Sequence, residues 1–87
     1  MANHKSALKR ARQYEVRRIR NKSYKTSTKK AIKEVRAAVA NGSAEEARER
    51  LINAVSIIQK TVSKGVIHKN QASRKISRLA RQVNQIS

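Results

Sequence analysis

The chain has 87 residues, no proline, and only two glycines, Gly42 and Gly65. Helical patterning runs up to each glycine and resumes after it. Glycine takes the left-handed conformation that ends a helix at little steric cost. The two positions therefore divide the chain into three helical segments. The first is expected from about Ser6 to Ala40 and the second from Ser43. The third begins near His68–Asn70 and runs to the end, with loops at about Asn41–Ser43 and Lys64–Ile67.

Each segment carries an apolar seam. The first has Thr28, Ile32, Val35 and Val39, spaced four, three and four. Before that it is thin: Leu8 and Ala11, then Val16 and Ile19 after a slip of phase. The second has Ala44, Ala47, Leu51, Ala54 or Val55, Ile58 and Val62, widened by Ile52 and Ile57, which suggests neighbours on two sides. It opens with Ser43-Ala44-Glu45-Glu46, the pattern of a capping box. The third has Ala72, Ile76, Leu79, Val83 and Ile86, broadened by Ala80. No stretch alternates with a period of two, so no strands are expected. Three amphipathic stripes joined by short loops predict an all-α fold, an antiparallel three-helix bundle with a long, basic, protruding first helix. The chain is one domain, with residues 1–25 as a basic helical extension and 26–87 as the bundle. The extension is expected to stay frayed until a partner binds.

Charge is the second constraint. Lys and Arg number 22 against five Glu, a net of +17. Residues 1–36 hold thirteen cations against two Glu, residues 37–63 balance at three of each, and residues 64–87 hold six cations and no acid. Charges packed so densely repel one another, and nothing in the chain neutralises them. A polyanion outside the chain is required, and nucleic acid supplies one phosphate charge per nucleotide. With only Tyr14 and Tyr24 as aromatics, base stacking of the kind used by single-strand binders and RNA-recognition sheets is excluded. Contact with the backbone and recognition of shape remain.

Three groups of residues fit such contact. Lys5, Lys9, Arg10, Arg12, Arg17, Arg18, Arg20 and Lys22 point all round the first helix, where a merely solvated helix would intersperse acids. Lys22, Lys25, Lys29, Lys33 and Arg36 form a stripe able to track a row of phosphates, although a solvated face is the competing reading. Interleaved Ser23, Thr26 and Ser27 could add hydroxyl donors. The third group is His68, Lys69 and Asn70 at a helix start, where free amides favour an anion, followed by Arg74, Lys75, Arg78 and Arg81. His68 and Asn70 read equally as helix caps.

Other chemistry is poorly served. There is no Cys, and the two His lack metal-ligand spacing. No acid–base pair in a cleft and no Gly-rich phosphate loop is evident. No enzyme activity, cofactor or metal is expected. No apolar run spans a membrane, and a membrane-surface helix would need a larger apolar face than one Leu, one Val and one Ile.

The opening Met1-Ala-Asn-His-Lys-Ser-Ala-Leu-Lys-Arg10, the central Asn41-Gly-Ser43, and above all Lys64-Gly-Val-Ile-His-Lys-Asn-Gln-Ala-Ser-Arg-Lys-Ile-Ser-Arg-Leu79 resemble the bacterial small-subunit ribosomal protein S-twenty family. The resemblance covers essentially the whole chain. It implies a cytoplasmic ribosomal protein that binds 16S ribosomal RNA early in assembly, in the 5′ domain and against the long 3′ minor-domain helix. It also implies a monomer within the subunit, with few protein contacts and no membrane. A nucleoid-type DNA-condensing protein would share the charge and is the alternative.

Overall fold

A computed structural model describes residues 2–87, with side chains from Ser6 onward. It contains three helices, α1 (Ala2–Ala40), α2 (Ala44–Ser63) and α3 (Lys69–Ile86), and no strand among the described residues. α1 packs mainly on α2, and α3 touches both. The helix starts at Ala2 rather than near Ser6, because no proline or glycine interrupts the intervening backbone. The described chain measures 64 × 21 × 14 Å.

Both glycines end helices as expected, each at φ 72°. The Gly42 N–H bonds the Val39 carbonyl at 3.0 Å, and the Ser43 N–H bonds the Ala38 carbonyl at 3.3 Å. The second turn repeats this, with Gly65 N–H on Val62 at 2.9 Å and Val66 N–H on Thr61 at 3.2 Å. These are paired Schellman bonds, which satisfy carbonyls orphaned at a helix end.

That geometry overturns the capping box. The Ser43 side chain makes no capping bond, although Ser43 is the N-cap of α2. Its backbone N–H already serves the end of α1, so Glu46 has no free amide to reach back to. Glu46 turns instead toward Arg50, at 4.0 Å.

The core is small and rich in alanine. It comprises Ala31, Val35 and Ala38 from α1, Ala47, Ala54 and Ile58 from α2, and Ala72, Leu79 and Val83 from α3. Ile32, Val39, Leu51 and Ile76 pack around it, half-buried. The seam of α1 is thus turned toward Ala31 and Ala38 relative to the expectation, because alanines let the helix backbones approach closely. Two polar residues, Thr28 and Thr61, are also buried. Ile57 is half-buried, but Ile52 is 72% exposed. α2 is therefore not flanked on the Ile52 side, since the two neighbouring helices both lie against its opposite face.

α2, of 20 residues, and α3, of 18, span about 30 and 27 Å at 1.5 Å per residue. α1, of 39 residues, spans about 58 Å. Among its described side chains the first buried one is Thr28, and every one from Ser6 to Arg20 is exposed. The N-terminal half of α1 therefore projects beyond the bundle. Replacing Leu79, 2% exposed, by Ala removes about 2–5 kcal/mol, enough to unfold a domain of this size. Ile52→Ala changes stability by less than about 0.5 kcal/mol; thermal unfolding followed by circular dichroism separates the two.

Candidate nucleic-acid interface

On the projecting half of α1, Lys9, Arg10, Arg12, Arg17, Arg18 and Arg20 are all exposed, around the full circumference of the helix. The Lys5 side chain lies outside the described residues. Within this group one cation is already partnered. Arg18 Nη2 donates to Glu15 Oε1 at 2.7 Å, and Arg18 Nε to Glu15 Oε2 at 3.4 Å. The hydrogen bond first and the guanidinium charge second hold the Glu15 carboxyl below its ordinary value, and the same two causes raise Arg18. A depressed carboxyl keeps its partner above the unfolded-state value and loses it only as pH falls through the folded one, so the pair is intact at neutral pH. Both side chains are about half exposed, at 54% and 53%, so the pair adds little to folding.

Along α1, Lys22, Lys25 and Lys29 are exposed and line one open groove with Tyr14, Arg17, Arg18, Asn21 and Thr26. Tyr14 thus sits among the cations. Thr26 does not offer its proton: its Oγ1 donates to the Lys22 carbonyl at 2.9 Å. Its lone pairs remain available to an outside donor such as a ribose 2′-hydroxyl. This corrects the expectation of a free hydroxyl donor at that position.

The stripe continues onto the bundle. Lys29, Lys33 and Arg36 line a second groove with Ile32 and with Lys75 of α3. Lys75 is the residue that reading along the chain placed poorly, as one more cation of the α3 run. Its neighbour Ile76 belongs to the packed seam, which sets Lys75 at the rim where α3 meets α1. Position beside a seam residue was the available signal.

The α2–α3 turn lies at the end of the bundle from which α1 departs, since Thr61 near the end of α2 meets Thr28. There His68 is the N-cap of α3, with Nδ1 accepting the Asn70 N–H at 3.1 Å. Capping is thus borne out for His68, while Asn70 takes part through its backbone. With Nδ1 accepting, the neutral ring carries its proton on Nε2, on an exposed side chain. The first turn of α3 holds no acid. Lys69 is exposed beside it, and Arg74 and Arg78 are exposed further along, lining a shallow surface with Ser73, Ser77 and Arg81.

Apart from Glu15, the acids lie elsewhere. Arg50 of α2 donates to Glu34 of α1 at 3.4 Å and lies 4.0 Å from Glu46. Among the described residues no cluster of His and carboxylates could hold a metal ion, and no helix is long and apolar enough to cross a membrane. The projecting helix, the stripe and the start of α3 therefore form the strongly cationic part of the surface.

The sequence is matched by known proteins. A family model described as Ribosomal protein S20 covers residues 2–84. The chain belongs to the ribosomal protein S20 family. It is 61% identical over 84 residues to the small ribosomal subunit protein bS20 of Syntrophobacter fumaroxidans, covering 97% of this chain and 98% of the relative. It is 55% identical over 87 residues to bS20 of Desulfatibacillum aliphaticivorans, covering 100% and 99%. It is 54% identical over 86 residues to bS20 of Sulfurimonas denitrificans, covering 99% and 100%. The resemblance seen in the sequence is thus shown, and the family is one of structural ribosomal proteins rather than enzymes.

The Glu15–Arg18 pair makes a direct test of the site. Glu15→Gln removes the local acid and releases Arg18. It should tighten binding to folded RNA and steepen the fall of log affinity with log salt by about 0.7–0.9, one further phosphate contact. A salt titration of the two proteins side by side measures this.

Proposed function

We propose that this chain is a structural constituent of the small ribosomal subunit, in the cytoplasm, that binds 16S ribosomal RNA directly and stabilises its fold during assembly. The observation that carries this reading is the projecting half of α1, exposed on every side and without a core of its own. A helix surrounded by cations suits a cleft between RNA strands. RNA helices present phosphates and 2′-hydroxyls and hide most base edges in a deep groove, so shape and backbone are what such a surface reads.

The first contact set is Lys5, Lys9, Arg10, Arg12, Arg17, Arg18, Arg20 and Lys22, continued by Lys25 and Lys29. The second is His68, Lys69, Asn70, Arg74 and Arg78. The RNA elements are the 5′ domain and the long helix of the 3′ minor domain. The protein acts as a monomer with few protein contacts, catalyses nothing and takes no cofactor. Residues 26–87 form the bundle, and residues 1–25 are an extension whose helix the RNA holds in place, since self-repulsion opposes it in the free protein.

Three measurements test this. Log affinity for folded small-subunit RNA should fall with log salt at about 0.7–0.9 per phosphate, with roughly six to ten phosphates neutralised. A flat response sinks the reading, and equal affinity for random duplex DNA at the same salt favours a nucleoid-type condenser. Arg17→Ala with Arg18→Ala should weaken RNA binding at least tenfold while shifting the thermal midpoint of the bundle by less than a few degrees. Amide exchange of the free protein should be fast over Leu8–Ile19 and slow in the core of α2, with protection at Leu8–Ile19 appearing only once RNA is added.

A further inference from the structure

Inside the α1–α2 contact, one interaction is neither apolar nor exposed. The hydroxyls of Thr28 and Thr61 lie 3.0 Å apart, both residues buried. Thr61 Oγ1 also lies 2.8 Å from the Ile57 carbonyl, and a carbonyl only accepts. The Thr61 proton is therefore taken by its own helix, and Thr28 must donate across the interface to Thr61. Thr26, two residues earlier, turns its proton back to the Lys22 carbonyl. Thr28 instead reaches the neighbouring helix.

The place matters. Thr28 is the first buried residue among the described side chains of α1, at the point where that helix leaves the bundle. The surrounding layers are Ala31, Val35, Ala54 and Ile58, whose apolar contacts would tolerate sliding. Slipping α1 by one turn, about 5.4 Å, would bring Ile32 or Tyr24 to Thr61 and carry the Thr28 hydroxyl away from its partner. Among the described residues, the other polar link between these helices, Arg50 to Glu34, is exposed and screened by salt. A single buried polar pair is an established means of setting register between packed helices.

We infer that the Thr28–Thr61 hydroxyl pair is a positioning device: it sets the register of α1 on α2, and so aligns the Lys22–Lys25–Lys29 stripe of the projecting helix with Lys75 of α3. The pair touches no ligand. It acts through the direction and phase of α1, and its consequence for binding rests on the RNA-binding reading above.

The test has two arms. The first uses no RNA. Spin labels at Ser23→Cys and Ser73→Cys, both exposed positions, report the distance between the base of the projection and α3. The parent should give one narrow distance distribution. Adding Thr28→Val, nearly the same in shape, should broaden or split it, and Thr28→Ser should restore it. An unchanged distribution in the Val variant overturns the inference. The second arm titrates salt against affinity for folded small-subunit RNA. Thr28→Val with Thr61→Val should remain helical, since two methyl groups fill the same space, yet bind several-fold more weakly with a shallower slope, and the double Ser variant should recover both. A double Val variant that binds like the parent overturns the inference. One that does not fold overturns it too, because the pair would then be holding the fold rather than its register. Failure of the parent itself to show a salt-dependent affinity sinks the RNA reading and leaves the distance arm standing.

Discussion

One helix of this protein is too long for its partners. α2 and α3 are each about half the length of α1, and two short helices can cover only one end of a long one. Among the described side chains, full burial therefore begins at Thr28 in α1 and ends at Val83 in α3. The described side chains from Ser6 to Arg20 belong to a helix without a core. Most helices in globular proteins draw their stability from tertiary packing on one face. The projecting part of α1 lacks that support and carries a dense array of like charges. Its free energy is left to whatever lies around it, and the sign of those charges restricts the surroundings to a polyanion.

The distribution of acids follows from the same division. Glu34, Glu46 and Arg50 sit where α1 and α2 meet, within the part of the molecule that must hold together alone. α2, which makes the two larger of the three helix–helix contacts, is close to neutral, so assembling the bundle brings little repulsion to its centre. Along the projection Glu15 is the one acid, and it is paired with Arg18. A helix stabilised by its own ion pairs would alternate signs at spacings of three and four. Here alternation occurs once, and the remaining cations are left for a partner.

Much of this was legible in the chain, and the parts that were not share a cause. Gly42 and Gly65 marked the helix ends because the left-handed conformation is a local demand on one residue. His68 was readable as a cap for the same reason. Thr61 was missed, since four-and-three spacing carries the α2 seam to Val62. Its burial depends on Thr28, thirty-three residues away, and no local pattern reports that. Ala31 and Ala38 were overlooked as core because alanine adds little to a hydrophobic stripe; their value lies in the close approach they allow. The reciprocal half of the Ser43 capping box failed because the Ser43 N–H is already taken by the Ala38 carbonyl at the end of α1. Lys75 was legible as a cation but not as a neighbour of Lys29, a relation that exists only once α1 and α3 are packed. Propensities and charges were thus visible from the sequence, while competition between elements for one group was not.

The two turns look alike in geometry and differ in what they carry. Both end on a glycine at φ 72° with the same pair of bonds. The α1–α2 turn is followed by Glu45 and Glu46 in the first turn of its helix, where carboxylates meet the positive end of the helix dipole. The α2–α3 turn is followed by Lys69, and the first turn of α3 has no acid. The same dipole there is left without a counter-charge, next to an exposed Lys69 and the exposed ring of His68. It also lies at the end of the bundle from which α1 projects. The helix start whose positive end is already answered within the chain is at the far end, and the unanswered one stands at the root of the cationic helix. One continuous anionic surface, curved around that root, can meet both.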